Sequence, residues 1–203
     1  RPDGTVLEVR GAPVDGGGFI TTYVDVTAEC QSQELIAHMA MHDSLTGLPN
    51  RALLMDRLRG AVASAKRGQP MALHYLDLDN FKPVNDNYGH AAGDKLLQQV
   101  ADRLRAGSRE TETIARRGGD EFVVIQTGIS KGDDATILAQ RLIDDLGMPF
   151  PIEGTRVKIG VSVGIAMAPL NSSSPDELLR LADHALYRSK SQGRHQFCFS
   201  ATD

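Results

Sequence analysis

The chain has 203 residues, of which 41% are apolar and 24% charged, and its formal net charge is -4. This composition is typical of a globular protein, and the chain is long enough to bury a core. Without a basic excess, nothing indicates a nucleic-acid-binding surface or a polybasic membrane patch. The two cysteines, Cys30 and Cys198, lie far apart and are expected to be reduced thiols of a cytoplasmic protein.

No segment predicts a membrane span or a signal peptide. The longest apolar run, residues 159–170, is too short to cross a bilayer and is interrupted by Gly160, Ser162 and Gly164. Because the first residue is Arg1 rather than methionine, we expect the chain to be part of a longer protein, in which a membrane anchor could lie elsewhere.

The first 26 residues have the pattern of a β-hairpin. Residues 5–9 and 19–26 alternate like strands, and the stretch from Asp15 to Gly18 is the turn signal between them. Two strands alone do not make a stable domain, so this segment is predicted to be the end of a larger one.

A helix is predicted over residues 27–42. Thr27 can cap it, and Leu35, Ile36 and Met39 share one face. The pattern covers about two heptads, so a coiled coil is an open alternative.

From residue 43 onward, helices and strands alternate. Asn50 can cap a helix after the turn-rich segment 43–51. The later elements are a strand at 71–78, a helix at 90–106, strands at 112–116 and 122–125, a helix at 135–146, a strand at 157–167 and a helix at 175–191. This order predicts an α/β (α+β) fold, in which helices flank a central, mostly antiparallel sheet.

Acidic residues stand at the ends of two of these strands. Asp77 and Asp79 come where the strand 71–78 stops, and Asp120 and Glu121 lie at the tip of the predicted hairpin. If the hairpin pairs beside that strand, the carboxylates meet at one edge of the sheet and need a cation such as Mg²⁺, as in phosphoryl-transfer sites. The two glycines before Asp120 suit a turn with positive φ. The alternative is an ordinary hairpin with solvated acids.

The segment FKPVNDNYGHAAGD (residues 81–94) carries side chains suited to a nucleotide. Lys82 can meet phosphate as a point charge, and Asn85 offers both a donor and an acceptor. His90 and Asp94 share a helix face, and a carboxylate can accept hydrogen bonds from guanine. The alternative is that Asn85 is a turn residue and Asp94 an ordinary first-turn acid.

Lys190 and Arg194 lie four residues apart around a predicted helix terminus. They can form a second phosphate clamp. The alternative is a solvated basic helix end, favoured by the helix dipole.

The segments DSLTGLPNR, DLDNFKPVNDNYGHAAGD and RGGDEF occur in the order and spacing of one family. Over residues 43–198 the chain resembles the GGDEF domains, which are diguanylate cyclases. The resemblance implies a palm-like fold related to nucleotide cyclases and polymerases. It also implies that two GTP molecules are condensed into cyclic di-GMP and pyrophosphate, by attack of a 3′-hydroxyl on an α-phosphate, with Mg²⁺ or Mn²⁺ at a homodimer interface.

Roles for single residues follow from the same resemblance. The implied metal ligands are Asp77, the backbone carbonyl of Leu78, Asp120 and Glu121. Asp120 and Glu121 are the implied catalytic pair, with Asp120 as the proton acceptor. The implied substrate contacts are the backbone around Asn80 and Phe81, together with Lys82, Asn85, His90, Asp94, Lys190 and Arg194.

Two positions depart from the family pattern. Arg117 precedes the signature where an aromatic or aliphatic residue is more usual. Many members carry an inhibitory product site, Arg-x-x-Asp, upstream of the signature, and here the spacing gives Arg109 and Glu112. Arg109 can still hold phosphate or stack on guanine, but the longer acid shifts the geometry. Allosteric binding of cyclic di-GMP at this pair is therefore an open hypothesis.

The resemblance also predicts the domain organisation. Residues 1–26, with FITTYVDVTAE, resemble the C-terminal end of a PAS sensor domain, residues 27–42 a signalling linker helix, and residues 43–203 the cyclase domain. The last residues, HQFCFSATD, resemble the link to an EAL phosphodiesterase domain.

Two other functions stay open. The domain could bind GTP without turnover and regulate a neighbouring phosphodiesterase, as a silent module of a hybrid protein. It could also be a mononucleotide cyclase of the same palm ancestry that makes cyclic GMP alone.

Overall fold

A computed structural model describes residues 4–13, 16–129 and 132–201 of the chain. The chain divides into two compact units, one ending at Met41 and the other beginning at His42, and each is described by itself. Within the described ranges, no helix combines the length and the apolar character that crossing a membrane requires.

The first unit is a β-hairpin followed by a helix. Strand β1 (Leu7–Pro13) pairs antiparallel with β2 (Phe19–Asp25), and α1 spans Thr27–Met41. The prediction of a strand over 5–9 is wrong in its bounds, because the pairing with β2 runs on to Pro13. Asp15, expected in the turn, lies outside the described residues.

Thr27 is the first residue of α1, and the acceptor at this helix start is Asp25. The Thr27 backbone N–H and hydroxyl both donate to Asp25 Oδ1, at 3.0 and 2.6 Å. The Thr27 hydroxyl oxygen accepts from the N–H of Val6 at 2.9 Å. The prediction that Thr27 caps the helix is therefore wrong: its hydroxyl oxygen accepts from the hairpin and ties the hairpin to the helix.

The second unit contains the other elements. They are α2 (Arg51–Ala65), β3 (Met71–Asp79), α3 (Phe81–Tyr88), α4 (His90–Gly107), β4 (Thr113–Gly118), β5 (Glu121–Thr127), α5 (Gly132–Gly147), β6 (Phe150–Ile152), β7 (Thr155–Val157), β8 (Gly160–Ala168), α6 (Pro175–Ser191) and β9 (Phe197–Phe199). Asn50 caps α2 as predicted, because its side chain accepts from the N–H groups of Ala52 and Leu53.

Strand β3 is the centre of a five-stranded sheet with the order β4-β5-β3-β8-β9. It pairs antiparallel with both β5 and β8, and the short β9 joins β8 in parallel. Helices cover both faces, so the predicted α/β fold with a central, mostly antiparallel sheet is confirmed.

The two faces of the sheet bury separate cores. Leu76 and Leu78 of β3 pack in the core that α4 and α5 cover, whereas Leu73 and Tyr75 pack in the core of α2 and α6. Successive side chains of a strand point to opposite faces, so the odd-numbered Asp77 lies on the α6 face. This alternation decides which helix can reach the acids.

Four elements were not predicted: helix α3, strands β6 and β7, which form a small hairpin, and the edge strand β9. The segment of α3 contains Pro83, Asn85 and Asp86, which favour turns, but Val84 anchors it to the core and Phe81 packs beside that core. The predicted strand over 157–167 begins later, at Gly160, because Val157 belongs to the small hairpin.

Candidate active site at the end of the central strand

The acidic residues of β3 and of the β4–β5 hairpin meet at one end of the sheet. Asp77 is the direct cross-strand partner of Glu121, and the N–H of Leu78 donates to the carbonyl of Asp120 at 3.3 Å. The sheet therefore brings together three of the predicted acids. The Leu78 side chain is buried, which leaves only its backbone for a ligand.

The hairpin turn differs by one residue from the predicted Gly-Gly turn. Gly118 pairs with Glu121, so the two loop residues are Gly119 and Asp120. Gly119 has a φ of 55°, at the first loop position, where a side chain would be strained. The turn thus places Asp120 at the tip of the hairpin, where its side chain makes no hydrogen bond or ion pair with another described residue.

The negative charge of Asp77 is balanced by the ammonium group of Lys190 in α6. Burial, together with the carboxylates of Asp120 and Glu121, raises the pKa of Asp77, and Lys190 opposes the rise. The Lys190 ammonium lies 2.7 Å from Asp77 Oδ2. The raised pKa is the expected sign of a partly buried carboxylate beside like charges, and a further cation would stabilise its charged form.

The donors here fit a divalent cation by type, since three carboxylates and a backbone carbonyl are the hard oxygen ligands of Mg²⁺ and Mn²⁺. In the arrangement described, no three His, Cys, Asp or Glu side chains among the described residues lie close enough together to hold an ion. The Lys190 ammonium is instead the cation in contact with Asp77.

Glu121 is oriented by two residues that were not predicted for the site. The Tyr75 hydroxyl donates to Glu121 Oε2 at 3.0 Å, and Arg117 donates to the Tyr75 hydroxyl oxygen. The Arg117 guanidinium also lies 3.4 Å from the same carboxylate oxygen. Burial and the neighbouring Glu121 raise the pKa of Tyr75, so its hydroxyl keeps the proton that it donates. Arg117, which departs from the family pattern, thus contacts both Tyr75 and the predicted metal ligand Glu121.

The turn-rich segment 43–51 braces the hairpin through Arg116. The Arg116 guanidinium donates to both carboxylate oxygens of Asp43, at 2.9 and 3.0 Å, and to the carbonyl of Gly119, at 3.0 and 2.7 Å. Burial alone would raise the pKa of Asp43, but hydrogen bonds from Thr46 and Arg116 outweigh it and lower that pKa. The brace fixes the turn that carries Asp120.

The predicted guanine-reading residues lie where α3 meets α4. Asn85, in the last turn of α3, lies so close to Gly93 that a Cβ added there would be 1.9 Å from Asn85 Oδ1. Asp94 is the next residue and is exposed, as is His90 at the start of α4. The structure therefore brings Asn85 beside the helix turn that holds Asp94, and Asn85 is a helical residue rather than the alternative turn residue.

The predicted triphosphate cradle is the junction between β3 and α3. Asn80 has a left-handed backbone, with a φ of 62°, and precedes Phe81, the first residue of α3. Lys82 is exposed, and its side chain makes no hydrogen bond or ion pair with another described residue. A sharp turn followed at once by a helix start leaves backbone N–H groups available to an anion.

The second predicted phosphate clamp is the C-terminal end of α6. Lys190 lies in the last turn of the helix, and Arg194 follows in the connection to β9. Arg194 Nε lies 4.0 Å from Asp79 Oδ1, and its side chain is 59% exposed. Each cation of the predicted clamp therefore lies beside one aspartate of β3, Lys190 beside Asp77 and Arg194 beside Asp79.

The predicted product site, Arg109 and Glu112, lies at the start of β4, on a segment separate from the acids of β3. Glu112 turns inward: its side chain is 3% exposed and its Oε2 accepts from the N–H of Arg109 at 2.9 Å. Arg141 lies 3.7 Å from the same oxygen. A cavity of about 70 Å³ beside these three residues is also lined by Asp134. Arg109 itself is exposed.

Sequence reasoning missed Asp43, Tyr75 and Arg116 as partners of the site. Asp43 begins the turn-rich segment 43–51 and Arg116 ends a predicted strand, but their pairing spans 73 residues. Tyr75 lies inside the predicted strand 71–78; it is a buried core residue whose hydroxyl reaches Glu121.

Two family profiles match the chain. The profile of the diguanylate cyclase GGDEF domain matches residues 40–196, and that of a PAS fold matches residues 1–34.

Curated relatives carry related names. The chain is 44% identical over 179 residues to the bifunctional diguanylate cyclase/cyclic di-GMP phosphodiesterase MucR of Pseudomonas aeruginosa, covering 88% of the chain and 26% of MucR. It is 41% identical over 196 residues to the diguanylate cyclase TpbB of the same organism, covering 95% of the chain and 45% of TpbB. It is 40% identical over 180 residues to the cyclic di-GMP phosphodiesterase PdeR of Escherichia coli, covering 89% of the chain and 27% of PdeR. The chain spans less than half the length of each.

A solved structure has the same fold. The GGDEF domain of TpbB from Pseudomonas aeruginosa superimposes with a TM-score of 0.77 at 39% identity, covering 79% of this chain and 95% of that one.

Proposed function

The chain belongs to the GGDEF domain family of diguanylate cyclases, and from this membership we propose that it condenses two GTP molecules into cyclic di-GMP. The observation that carries the proposal is the meeting of Asp77, Asp120 and Glu121 beside Lys190 at one end of the sheet. Carboxylates that share one end of the sheet, where Asp120 and Glu121 help to raise the pKa of Asp77, suit a site that a metal-bound triphosphate completes.

The proposed substrate position follows from the contacts around the acids. Guanine is read by Asn85 and Asp94 at the α3–α4 junction. The phosphates lie over the β3–α3 turn and Lys82, and the terminal phosphate meets Lys190 and Arg194. A metal ion held by Asp77, Leu78, Asp120 and Glu121 would neutralise phosphate charge and polarise the α-phosphate when bound.

The proposed reaction is phosphoryl transfer between two nucleotides. The 3′-hydroxyl oxygen of one GTP forms a bond to the α-phosphorus of the other, the bond to pyrophosphate breaks, and Asp120 accepts the hydroxyl proton. In a second transfer, the 3′-hydroxyl oxygen of the other nucleotide forms a bond to the remaining α-phosphorus, which closes the ring and releases a second pyrophosphate. Catalysis of this kind rests on positioning and on charge neutralisation.

A homodimer is part of the proposal, since each domain holds one GTP and therefore half of the reaction. Helix α1 offers a surface for pairing with a second copy: Leu35, Ile36 and Met39 are 61, 66 and 62% exposed. A preceding PAS sensor could then control the meeting of two domains. We place the reaction in the cytoplasm, where GTP is available.

The deciding experiment is product identification. The chain is incubated at high concentration with GTP and Mg²⁺, and the products are identified by mass. We expect cyclic di-GMP, with a rate that rises more steeply than linearly with protein concentration. Cyclic GMP alone would favour the mononucleotide cyclase.

A second candidate is a silent GTP-binding module that regulates a phosphodiesterase. It is favoured by the names of relatives such as PdeR and MucR, which include cyclic di-GMP phosphodiesterase activity. Absence of product, together with GTP binding that Asp94→Ala removes, would support this candidate.

Product inhibition is a separate proposal for Arg109. Because the Glu112 carboxylate already accepts a hydrogen bond from the backbone N–H of Arg109, we expect binding of cyclic di-GMP to depend on the Arg109 side chain. Titration with cyclic di-GMP should give binding that Arg109→Ala abolishes. Equal binding by both proteins would place the ligand elsewhere.

A further inference from the structure

Asp79, the last residue of β3, is a buried carboxylate with its oxygens already engaged. Its side chain is 3% exposed. Oδ1 accepts from the Ser162 hydroxyl at 2.8 Å, and Oδ2 accepts from the backbone N–H of His195 at 3.0 Å. A buried charge needs such partners, and here one of them is the backbone of a distant loop.

That loop has an unusual backbone. Gly193, Arg194 and His195 have φ values of 124°, 63° and 49°, so three consecutive residues lie in the left-handed region. Two of them carry a Cβ, and such residues keep this conformation only where their surroundings fix it. The Asp79 hydrogen bond to His195 is one of the contacts that fix it.

The other contacts come from the end of α6. Ser189 is fully buried; its hydroxyl donates to the carbonyl of Gln196 at 2.7 Å, and its carbonyl accepts from the N–H of Arg194 at 3.1 Å. Gly160 faces Asp79 across the sheet, where a Cβ would lie 2.9 Å from Asp79 Oδ2 and 3.2 Å from His195 Nδ1. The neighbouring strand thus leaves room for the carboxylate and the loop together.

We propose that Asp79 is a positioning residue, which fixes loop 193–195 so that Arg194 presents its guanidinium to the terminal phosphate of the nucleotide. This inference rests on the proposed function. Asp77 and Asp79 lie on the same face of β3 but differ in their contacts: Asp77 pairs with the side-chain ammonium of Lys190, whereas Asp79 accepts from the backbone of the loop.

Nucleotide binding tests the proposal without turnover. Binding of a GTP analogue with a non-cleavable α,β-methylene bridge is compared with binding of GDP, which lacks the terminal phosphate. We expect Asp79→Ala to weaken binding of the triphosphate about tenfold and of GDP less than about twofold. Arg194→Ala should do the same, and the double variant should be no weaker than either single one.

Two further variants separate position from charge and from folding. Asp79→Asn can still accept from His195 and donate to Ser162, so it should restore most of the triphosphate preference. If Asp79→Ala fails to fold, Gly160→Ala, whose Cβ displaces the carboxylate, should show the same selective loss. An unchanged triphosphate-to-GDP ratio in the folded variant, or additive losses in the double variant, would overturn the proposal. If the unaltered chain binds neither nucleotide, the proposed function itself fails.

Discussion

A single methyl group at Gly93 should displace the residue proposed to read guanine. The Cβ of an alanine there would lie 1.9 Å from Asn85 Oδ1 and 2.9 Å from Asn85 Cγ. The Asn85 side chain must withdraw by about 1.5 Å to reach ordinary van der Waals distance. Since the atoms met are the amide group at the end of the Asn85 side chain, the side chain can rotate away without unfolding the helix.

The expected effect is on GTP affinity and not on stability. Loss of one hydrogen bond to guanine costs about 1–1.5 kcal/mol, so the KM for GTP in Gly93→Ala should rise about fivefold to tenfold. Alanine is a better helix former than glycine by up to about 1 kcal/mol, so the unfolding midpoint should not fall.

Gly60 supplies the matched control. It is also helical, and a Cβ added there meets nothing within 4 Å. Initial rates of pyrophosphate release over a range of GTP concentrations, with thermal unfolding of each variant, make the comparison. If the KM of Gly93→Ala stays within about twofold of that of Gly60→Ala, Asn85 does not contact guanine.

Three further predictions concern the partners of the site and the core. Tyr75→Phe should raise the Mg²⁺ concentration for half-maximal activity severalfold with little change in the KM for GTP, because Glu121 loses a donor; an unchanged Mg²⁺ titration would contradict this. Asp43→Asn should lower the free energy of unfolding by about 2 kcal/mol at pH 7, and the difference should vanish as the pH falls through the lowered pKa of Asp43, since the carboxylate then loses its charge in the unaltered chain too. Burial lowers the pKa of His74 from 6.5 to about 4. As the pH falls from 6.5 to about 4, His74 is protonated in the unfolded chain but not in the folded one, so the free energy of unfolding should fall by about 3 kcal/mol. The free energy of unfolding of His74→Gln should depend less on pH over this range.

The sheet and the convergence of acids were predictable because each depends on a local signal. Alternation and turn residues marked β3, β4 and β5, and once the hairpin pairs with β3, Asp77 and Glu121 become cross-strand partners. The capping role of Asn50 was equally local. These features need only the residues within one element and the pairing of its neighbours.

The features that sequence reasoning missed depend on contacts between distant segments. The sequence of helix α3 predicts a turn because its polar residues favour turns. Packing of Val84 in the core on one face of the sheet, with Phe81 beside it, stabilises the helix instead. The Arg116 brace and the bond from Asp79 to His195 span 73 and 116 residues. No spacing in one sequence shows which partner a charged residue meets across such a separation.

The measurement that tests the central claim most directly is formation of cyclic di-GMP by the chain and by Asp120→Asn at equal concentration. The Asp120 side chain makes no hydrogen bond or ion pair with another described residue, and asparagine suits a turn, so the variant should keep the fold. We expect the unaltered chain to form cyclic di-GMP and the variant, with an unchanged unfolding midpoint, to form none. Equal product from both proteins would contradict the assignment of catalysis to the acids at the end of the central strand.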